Sequence, residues 1–237
     1  MKNFKIYLSA FMLLLFTTSN TCVQNKTPIS KNYSIHSFSS ITSNAVGNII
    51  YTQSNNVSVK AEGRESMIDN LIITEKDGLL KIDFQKKARS LKKDNLTIYI
   101  SSPTIESIEN SGVGNFKLNG KVKTDNLKVY FEGVGNFEAL DVESQHIEAI
   151  YEGVGNLRLG GTTESLKVEL EGVGSINVKE LIAKNVVANS SGVGSVRCYA
   201  SQSIDITNSG VGSITYYGNP TIKNIKNEGV GKIKPNR

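Results

Sequence analysis

Few side chains in this sequence are placed to do acid–base, nucleophilic or metal chemistry. His36 and His146 are the only histidines, far apart in the chain and without spaced metal ligands around them. Cys198 has no histidine partner marked by the sequence pattern, so it reads as a buried, inert thiol. Most acidic residues are scattered. Only Glu132, Glu152 and Glu171 recur at matching intervals; stacked as three carboxylates they repel, a repulsion eased by solvent or by a bridging calcium ion. Gly-Val-Gly triplets occur without the G-x-x-x-x-G-K-S/T arrangement or a following helix, which excludes a phosphate loop. Polysaccharide-cleaving chemistry uses clustered carboxylates, or a basic residue with acidic partners, and no such cluster falls in register. The sequence therefore predicts no enzyme, no catalytic residue, no bound metal and no cofactor.

The opening residues point outside the cytoplasm. Lys2 and Lys5 precede an apolar stretch from Ile6 to Phe16, and Thr17 to Thr21 form a small polar tail. That stretch is too short to span a bilayer comfortably and fits an export signal over residues 1–21. Cys22 follows at the place where a bacterial lipoprotein carries its acylated cysteine. Ser19 and Thr21 depart from the usual residues before such a site, leaving acylation or simple cleavage and release as the alternatives. Residues 22–34 read as a linker or lipoprotein tether. Once Cys22 is acylated or removed, Cys198 is the only thiol, so no internal disulfide framework is expected.

Of the 27 basic and 22 acidic residues, the signal removes two lysines, leaving 25 against 22 and a net charge of +3. Spread along the chain, this is not a nucleic-acid or anionic-membrane signature. The one dense basic run, Lys86, Lys87, Arg89, Lys92 and Lys93, reads as a solvated loop.

The elements that position these residues are set by a repeat. Gly-Val-Gly occurs seven times: Gly112-Val113-Gly114, Gly133-Val134-Gly135, Gly153-Val154-Gly155, Gly172-Val173-Gly174, Gly192-Val193-Gly194, Gly210-Val211-Gly212 and Gly229-Val230-Gly231. The spacings are 21, 20, 19, 20, 18 and 19 residues. Between triplets, apolar residues alternate with polar ones, as in Leu127, Val129 and Phe131 or Leu166, Val168 and Leu170. Period two over such runs describes strands with one buried face. A unit near 20 residues is too short for a propeller blade and lacks the helical segment and regular leucines of a leucine-rich repeat. It fits one coil of a β-helix, whose coils pair in parallel about 4.8 Å apart and bury a continuous core only when stacked.

Within that reading the triplets are corners. Glycine accepts the positive φ of a sharp bend, and close packing of one corner on the next excludes a Cβ. The middle valines, Val113 to Val230, are expected to turn inward as an aliphatic stack, so that Val173→Asp or Val193→Asp is severely destabilising. After each triplet stand Asn115, Asn136, Asn156, Ser175, Ser195, Ser213 and Lys232. The asparagines are expected to hydrogen-bond along the axis as a ladder; a recognition or metal site is the sharper alternative.

Residues 31 to about 105 lack the triplet, yet Ala45-Val46-Gly47-Asn48 looks like a decayed corner, and Asp77-Gly78 a turn between strands. This part is expected to form wider coils or a short sheet capping the column. Matching segments, Pro103 to Gly112 and Pro220 to Gly229, bracket the regular coils, which begin near residue 105. Pro235-Asn236-Arg237 follows soon after the last triplet, so no C-terminal translocating barrel or sorting domain is expected.

The serial Ser/Glu-Gly-Val-Gly-Asn/Ser corners and the run Tyr216-Tyr217-Gly218-Asn219-Pro220 resemble the family of putative auto-transporter adhesins with a head GIN domain, common in the Bacteroidetes. The resemblance covers residues 35 to 233. Its corners more often read Gly-Ser-Gly; here the middle residue is always valine. It implies an all-β, single-stranded, right-handed β-helix, a signal peptide, often a lipoprotein cysteine at the position of Cys22, and no catalytic residues.

On these grounds the chain is expected to be a non-enzymatic envelope protein, outer-membrane or surface-bound if lipidated, otherwise periplasmic or secreted. Its partners are a surface glycan or an envelope protein, with self-association also compatible. No nucleic acid is expected, and membrane contact only through Cys22. Tyr99, Tyr130, Tyr199, Tyr216 and Tyr217 offer aromatic contacts, whereas Tyr151 is in phase with the buried positions. A structural or assembly role in the envelope and a polysaccharide-active enzyme are the alternatives.

Overall fold

The computed structural model describes residues 28–85 and 96–236. The export signal, Cys22 and the basic run from Lys86 to Lys93 lie outside them. The described chain is a β-solenoid: β10 (Val122–Phe131), β11 (Val134–Tyr151), β12 (Val154–Leu170), β13 (Val173–Ser190) and β14 (Val193–Asn208) stack in parallel register, one coil upon the next. β15 (Val211–Tyr217) and β16 (Ile222–Asn227) continue the column on β14, and β17 (Ile233–Pro235) pairs with β15.

The bends are written in the burial pattern. In β11 the buried positions run Phe137, Ala139, Val142, Ser144, Ile147, Ala149 and Tyr151. The alternation slips by one at Leu140-Asp141 and again at Gln145-His146, where two consecutive residues face out. Each slip turns the strand around the core. With the Gly-Val-Gly corner, the slips divide a coil into three faces, here residues 136–140, 141–145 and 146–151. At the last of these bends, buried hydroxyls replace glycine. Ser144 Oγ lies 3.1 Å from the carbonyl of Asp125 and 3.0 Å from that of His146. Thr163 Oγ1 repeats the arrangement one coil on, with Gln145 and Ser165. Each hydroxyl thus ties a carbonyl of its own coil to one of the coil before it and braces the bend.

Inside, like positions stack on like. Ile49, Phe116, Phe137, Leu157, Ile176, Val196 and Ile214 form one buried column in continuous register. Phe116 stacks on Phe137 with centroids 5.7 Å apart, and Phe131 on Tyr151 at 5.1 Å. Burial of such side chains contributes on the order of 1.5–3 kcal/mol each.

The glycines and valines of the corners play different parts. Gly135, Gly155, Gly174, Gly194, Gly212 and Gly231, the third residues, have φ between +141° and +154°, save Gly114 at +137°. A Cβ on Gly135 would stand 1.8 Å from the carbonyl oxygen of Gly114, and one on Gly133 2.0 Å from that of Gly112. The same contact, at 2.0–2.1 Å, recurs at Gly153, Gly172, Gly192, Gly210 and Gly229. The valines do not turn inward. Val134, Val154, Val173, Val193 and Val211 are 50–52% exposed, Val230 is 71% exposed and Val113 is half-buried. Counting from buried Phe131, strict alternation puts Gly133 and Gly135 on the inner side and Val134 outside. At the corner the inner side has no room for a side chain, so glycine takes the inward positions and valine the outward one. The expected aliphatic core stack is instead a surface column, with Val46 and all seven triplet valines in parallel register.

The N-terminal part both continues and closes the column. β2 (Ser40–Ser43) and β3 (Asn48–Gln53) flank the corner at Val46 and pair with β8 (Ser107–Asn110) and β9 (Phe116–Leu118). On their other edge lie β6 (Leu79–Phe84) and β7 (Thr97–Ser102), also parallel. Beyond these the pairing becomes antiparallel, through β5 (Leu71–Lys76) on β6 and β4 (Ser58–Gly63) on β7, with β1 (Ile29–Tyr33) outermost on β4. Helix α1 (Glu65–Asn70) packs Met67 and Ile68 into the core. β5 and β6 meet at Asp77-Gly78, both at positive φ as a tight hairpin requires.

Candidate functional site

The first face, entered after each corner, is the longest continuous surface. Among the described residues its strands run β1, β4, β7, β3, β9, β11, β12, β13, β14, β15 and β17, eleven in unbroken pairing. Three outward columns cross it along the solenoid axis.

Nearest the corner is the polar ladder. Asn48 Oδ1 accepts the backbone N–H of Asn115 at 3.1 Å and its Nδ2–H at 3.2 Å. Asn115 Oδ1 receives the same pair from Asn136, at 3.3 and 2.9 Å, and Asn136 Oδ1 from Asn156, at 3.1 and 3.0 Å. Ser195 then donates to Ser175 at 3.2 Å. The carboxamides thus point one way along the axis and leave a regular, hydrophilic rail.

The middle column lies two residues on. In register it reads Lys60, Tyr99, Ile50, Lys117, Glu138, Arg158, Asn177, Arg197, Thr215 and Lys234. Glu138 bridges its two neighbours, 3.0 Å from Lys117 Nζ and 3.1 Å from Arg158 Nη1. Arg197 is exposed and has no ion-pair partner among the described residues. In the third column, Tyr199 and Tyr217 are half-buried register partners, and Lys179 Nζ lies 6.0 Å from the Tyr217 ring centroid. A shallow groove runs between the first two columns, over Asn136, Asn156, Arg158 and Arg197.

The other faces are more self-satisfied. On the second, Lys121 and Lys123 hold Glu143 at 2.7 and 2.8 Å, and the hydrogen bond from Lys121, then that from Lys123, pulls its carboxyl down to about 2. On the third, Lys167 joins Glu148 at 3.0 Å and Glu169 at 3.3 Å. The groove beside it passes over Leu127, Ile147 and Leu166 near His146.

The residues singled out in the sequence fall as follows. His36 and His146 are exposed; His146 Nδ1 lies 2.7 Å from Ser165 Oγ. Cys198 is buried, and burial pushes its thiol up to about 12. Glu132, Glu152 and Glu171 do stack in consecutive coils, but two have donors of their own: Ser111 Oγ donates to Glu132 at 3.0 Å, and Tyr130 Oη to Glu152 at 2.6 Å. That bond raises the Tyr130 phenol to about 12. Among the described residues no group of three or more His, Cys, Asp or Glu side chains could hold a metal ion. Tyr99 is exposed, Tyr130 half-buried, and Tyr151 and Tyr216 buried. The basic column is masked by the small net charge, although its signal is local: Lys117, Glu138, Arg158, Asn177, Arg197, Thr215 and Lys234 each stand three residues after a triplet's last glycine.

A crystal structure of a putative adhesin from Bacteroides fragilis superposes with a TM-score of 0.87 at 35% identity, covering 89% of this chain and 98% of that one. Putative adhesins from Parabacteroides merdae and Parabacteroides distasonis share the fold at TM-scores of 0.63, with 19% and 18% identity and coverage of 90% of this chain and 98% of each of theirs. No functionally curated protein matches the sequence. The family model described as "putative auto-transporter adhesin, head GIN domain" matches residues 37–220, and this chain, whose corners and coils fill that span, belongs to that family.

Proposed function

We propose that the protein is a non-catalytic adhesin of the cell envelope, which uses the outward face of its eleven-strand sheet to contact a surface glycan or another envelope protein. The observation that carries this reading is the first face itself. It is long, it repeats its polar rail coil after coil, and it combines a basic column with exposed or half-buried tyrosines. A periodic surface of this kind suits a partner that is itself extended and periodic. The acidic side chains support a non-catalytic role, because Glu138, Glu143, Glu148 and Glu169 are tied up in ion pairs rather than gathered around a cleft.

The leader and Cys22 support export, with lipid anchoring at Cys22 the route to surface retention. Intact mass and detergent partitioning of wild type and Cys22→Ala test the anchor. Acylation predicts a mass increment and a detergent-phase protein, both abolished in the variant. Whole-cell binding and a glycan array, using the protein without its leader, test adhesion. Loss of all binding to cells and glycans, with the fold intact by circular dichroism, overturns the reading.

A role in envelope assembly is the second reading, favoured by the valine column. Six consecutive half-exposed or more exposed valines, Val134 to Val230, form an apolar stripe of the kind that marks protein contacts.

A further inference from the structure

From Lys117 onward along the middle column of the first face, cations fall on alternate coils. Lys117, Arg158, Arg197 and Lys234 are separated in register by Glu138, Asn177 and Thr215. Coils stack about 4.8 Å apart, so the positive charges repeat at roughly 9.6 Å along the column. Beside them the Asn and Ser rail offers hydrogen-bonding groups at every coil, and Tyr199 with Tyr217 flanks Arg197 on the opposite side.

We infer that this column is a binding track for a linear acidic polysaccharide carrying one anionic group on every second sugar, laid along the solenoid axis. The inference rests on the adhesive reading above and names its ligand class.

Three physical features select this occupant. From Lys117 onward, four cations against one carboxylate give the column a net positive charge on a protein otherwise nearly balanced. Glu138 holds Lys117 and Arg158 in place without masking Arg197, whose planar guanidinium suits a carboxylate or sulfate. The two-coil period is close to the length of two sugars in an extended β-linked chain, so one register satisfies every charge. The polar rail and the tyrosine pair then serve the hydroxyl edge and the apolar face of the sugars between charges. A nucleic acid, whose phosphates occur on every nucleotide, and an acidic peptide both lack this spacing.

The test uses the protein without its leader and hyaluronan oligosaccharides as probe, since these carry one carboxylate per disaccharide. Cello-oligosaccharides serve as neutral control, and polyglutamate and single-stranded DNA as polyanions of other spacing. Calorimetry or biolayer interferometry is expected to show hyaluronan binding that weakens steadily with salt. Arg158→Gln with Arg197→Gln should weaken it about tenfold, the combined effect of removing two exposed charge pairs with the ligand, with an unchanged melting temperature. The double Arg→Lys variant should recover part of that affinity. Equal binding by wild type and the Gln variant, or polyglutamate or DNA binding as tightly as hyaluronan, overturns the inference. If the protein adheres to cells or neutral glycans and the Gln variant adheres equally, the polyanion track falls while the adhesive reading stands. If it binds neither glycans nor cells, both fall.

Discussion

The phenolic oxygen of Tyr151 donates a 2.6 Å hydrogen bond to the carbonyl of Gly135, sixteen residues earlier in the chain. One coil is thereby pinned from inside: the ring lies flat on Phe131, and the hydroxyl reaches the back of the corner. The neighbouring corner closes over it, since a Cβ on Gly155 would stand 2.8 Å from that hydroxyl. Tyr151→Phe keeps the stacking and removes the bond. It is expected to cost about 1 kcal/mol, the usual net value of such a contact, read as a lower urea midpoint with an unchanged m-value.

The corners predict opposite outcomes for adjacent residues. Gly174→Ala would place a Cβ 1.7 Å from the carbonyl of Gly155 at a φ of +152°. Neither backbone can yield without breaking the ladder, so the loss should exceed about 4 kcal/mol and appear as insoluble or unfolded protein. Val193→Asp, beside it in space, replaces a half-exposed side chain flanked by Ser191 and Ser195. Its effect should stay within about 0.5 kcal/mol. A collapse of Val193→Asp comparable to that of Gly174→Ala would return the valines to the core.

Asn136→Ala removes the acceptor of two N–H groups of Asn156 and the donor to Asn115. A cost of about 1–2 kcal/mol is expected, with Asn136→Ser milder because serine already serves this position in later coils. Thermal melts of the two variants decide the order.

Buried acids set the alkaline limit. Burial raises the Cys198 thiol from 9.0 to about 12, and the Tyr151 phenol from 10.0 to about 12. Both groups hold their protons more tightly when folded, so their contribution is fully present below pH 9 and is lost as pH rises toward 12. Stability should therefore fall over that window. At pH 8 Cys198 should resist iodoacetamide in the native protein and react readily in urea; rapid native labelling contradicts its burial.

Much of this architecture is legible in the primary sequence, and for identifiable reasons. The triplets announce themselves because a corner with a carbonyl oxygen 1.6–2.1 Å from any added Cβ admits only glycine, at the same place in every coil. The asparagine ladder follows from that spacing alone. The direction of the valines escapes a reading that weighs side-chain type above parity: from Phe131, two-residue counting already places Val134 outside. The hydroxyl-bridged bend at Ser144 and Thr163 leaves no cue, since a buried serine looks like any other in a polar run. The basic column stands at a fixed offset from each triplet but is hidden by the small net charge.

The N-terminal layers are the least readable part, because there spatial order departs from chain order. β3 sits between β7 and β9, and both of its neighbours follow it in sequence. A nascent polypeptide delivered from its N-terminus must hold Asn48–Gln53 unpaired until Thr97–Ser102 has arrived, and one edge of it open until Phe116–Leu118 follows. The later turns face no such wait, for each finds its template already laid down. Assembly of this rod is thus expected to begin with one slow, long-range closure and to finish as a rapid zipper, so that early truncations abolish structure where late ones only shorten it.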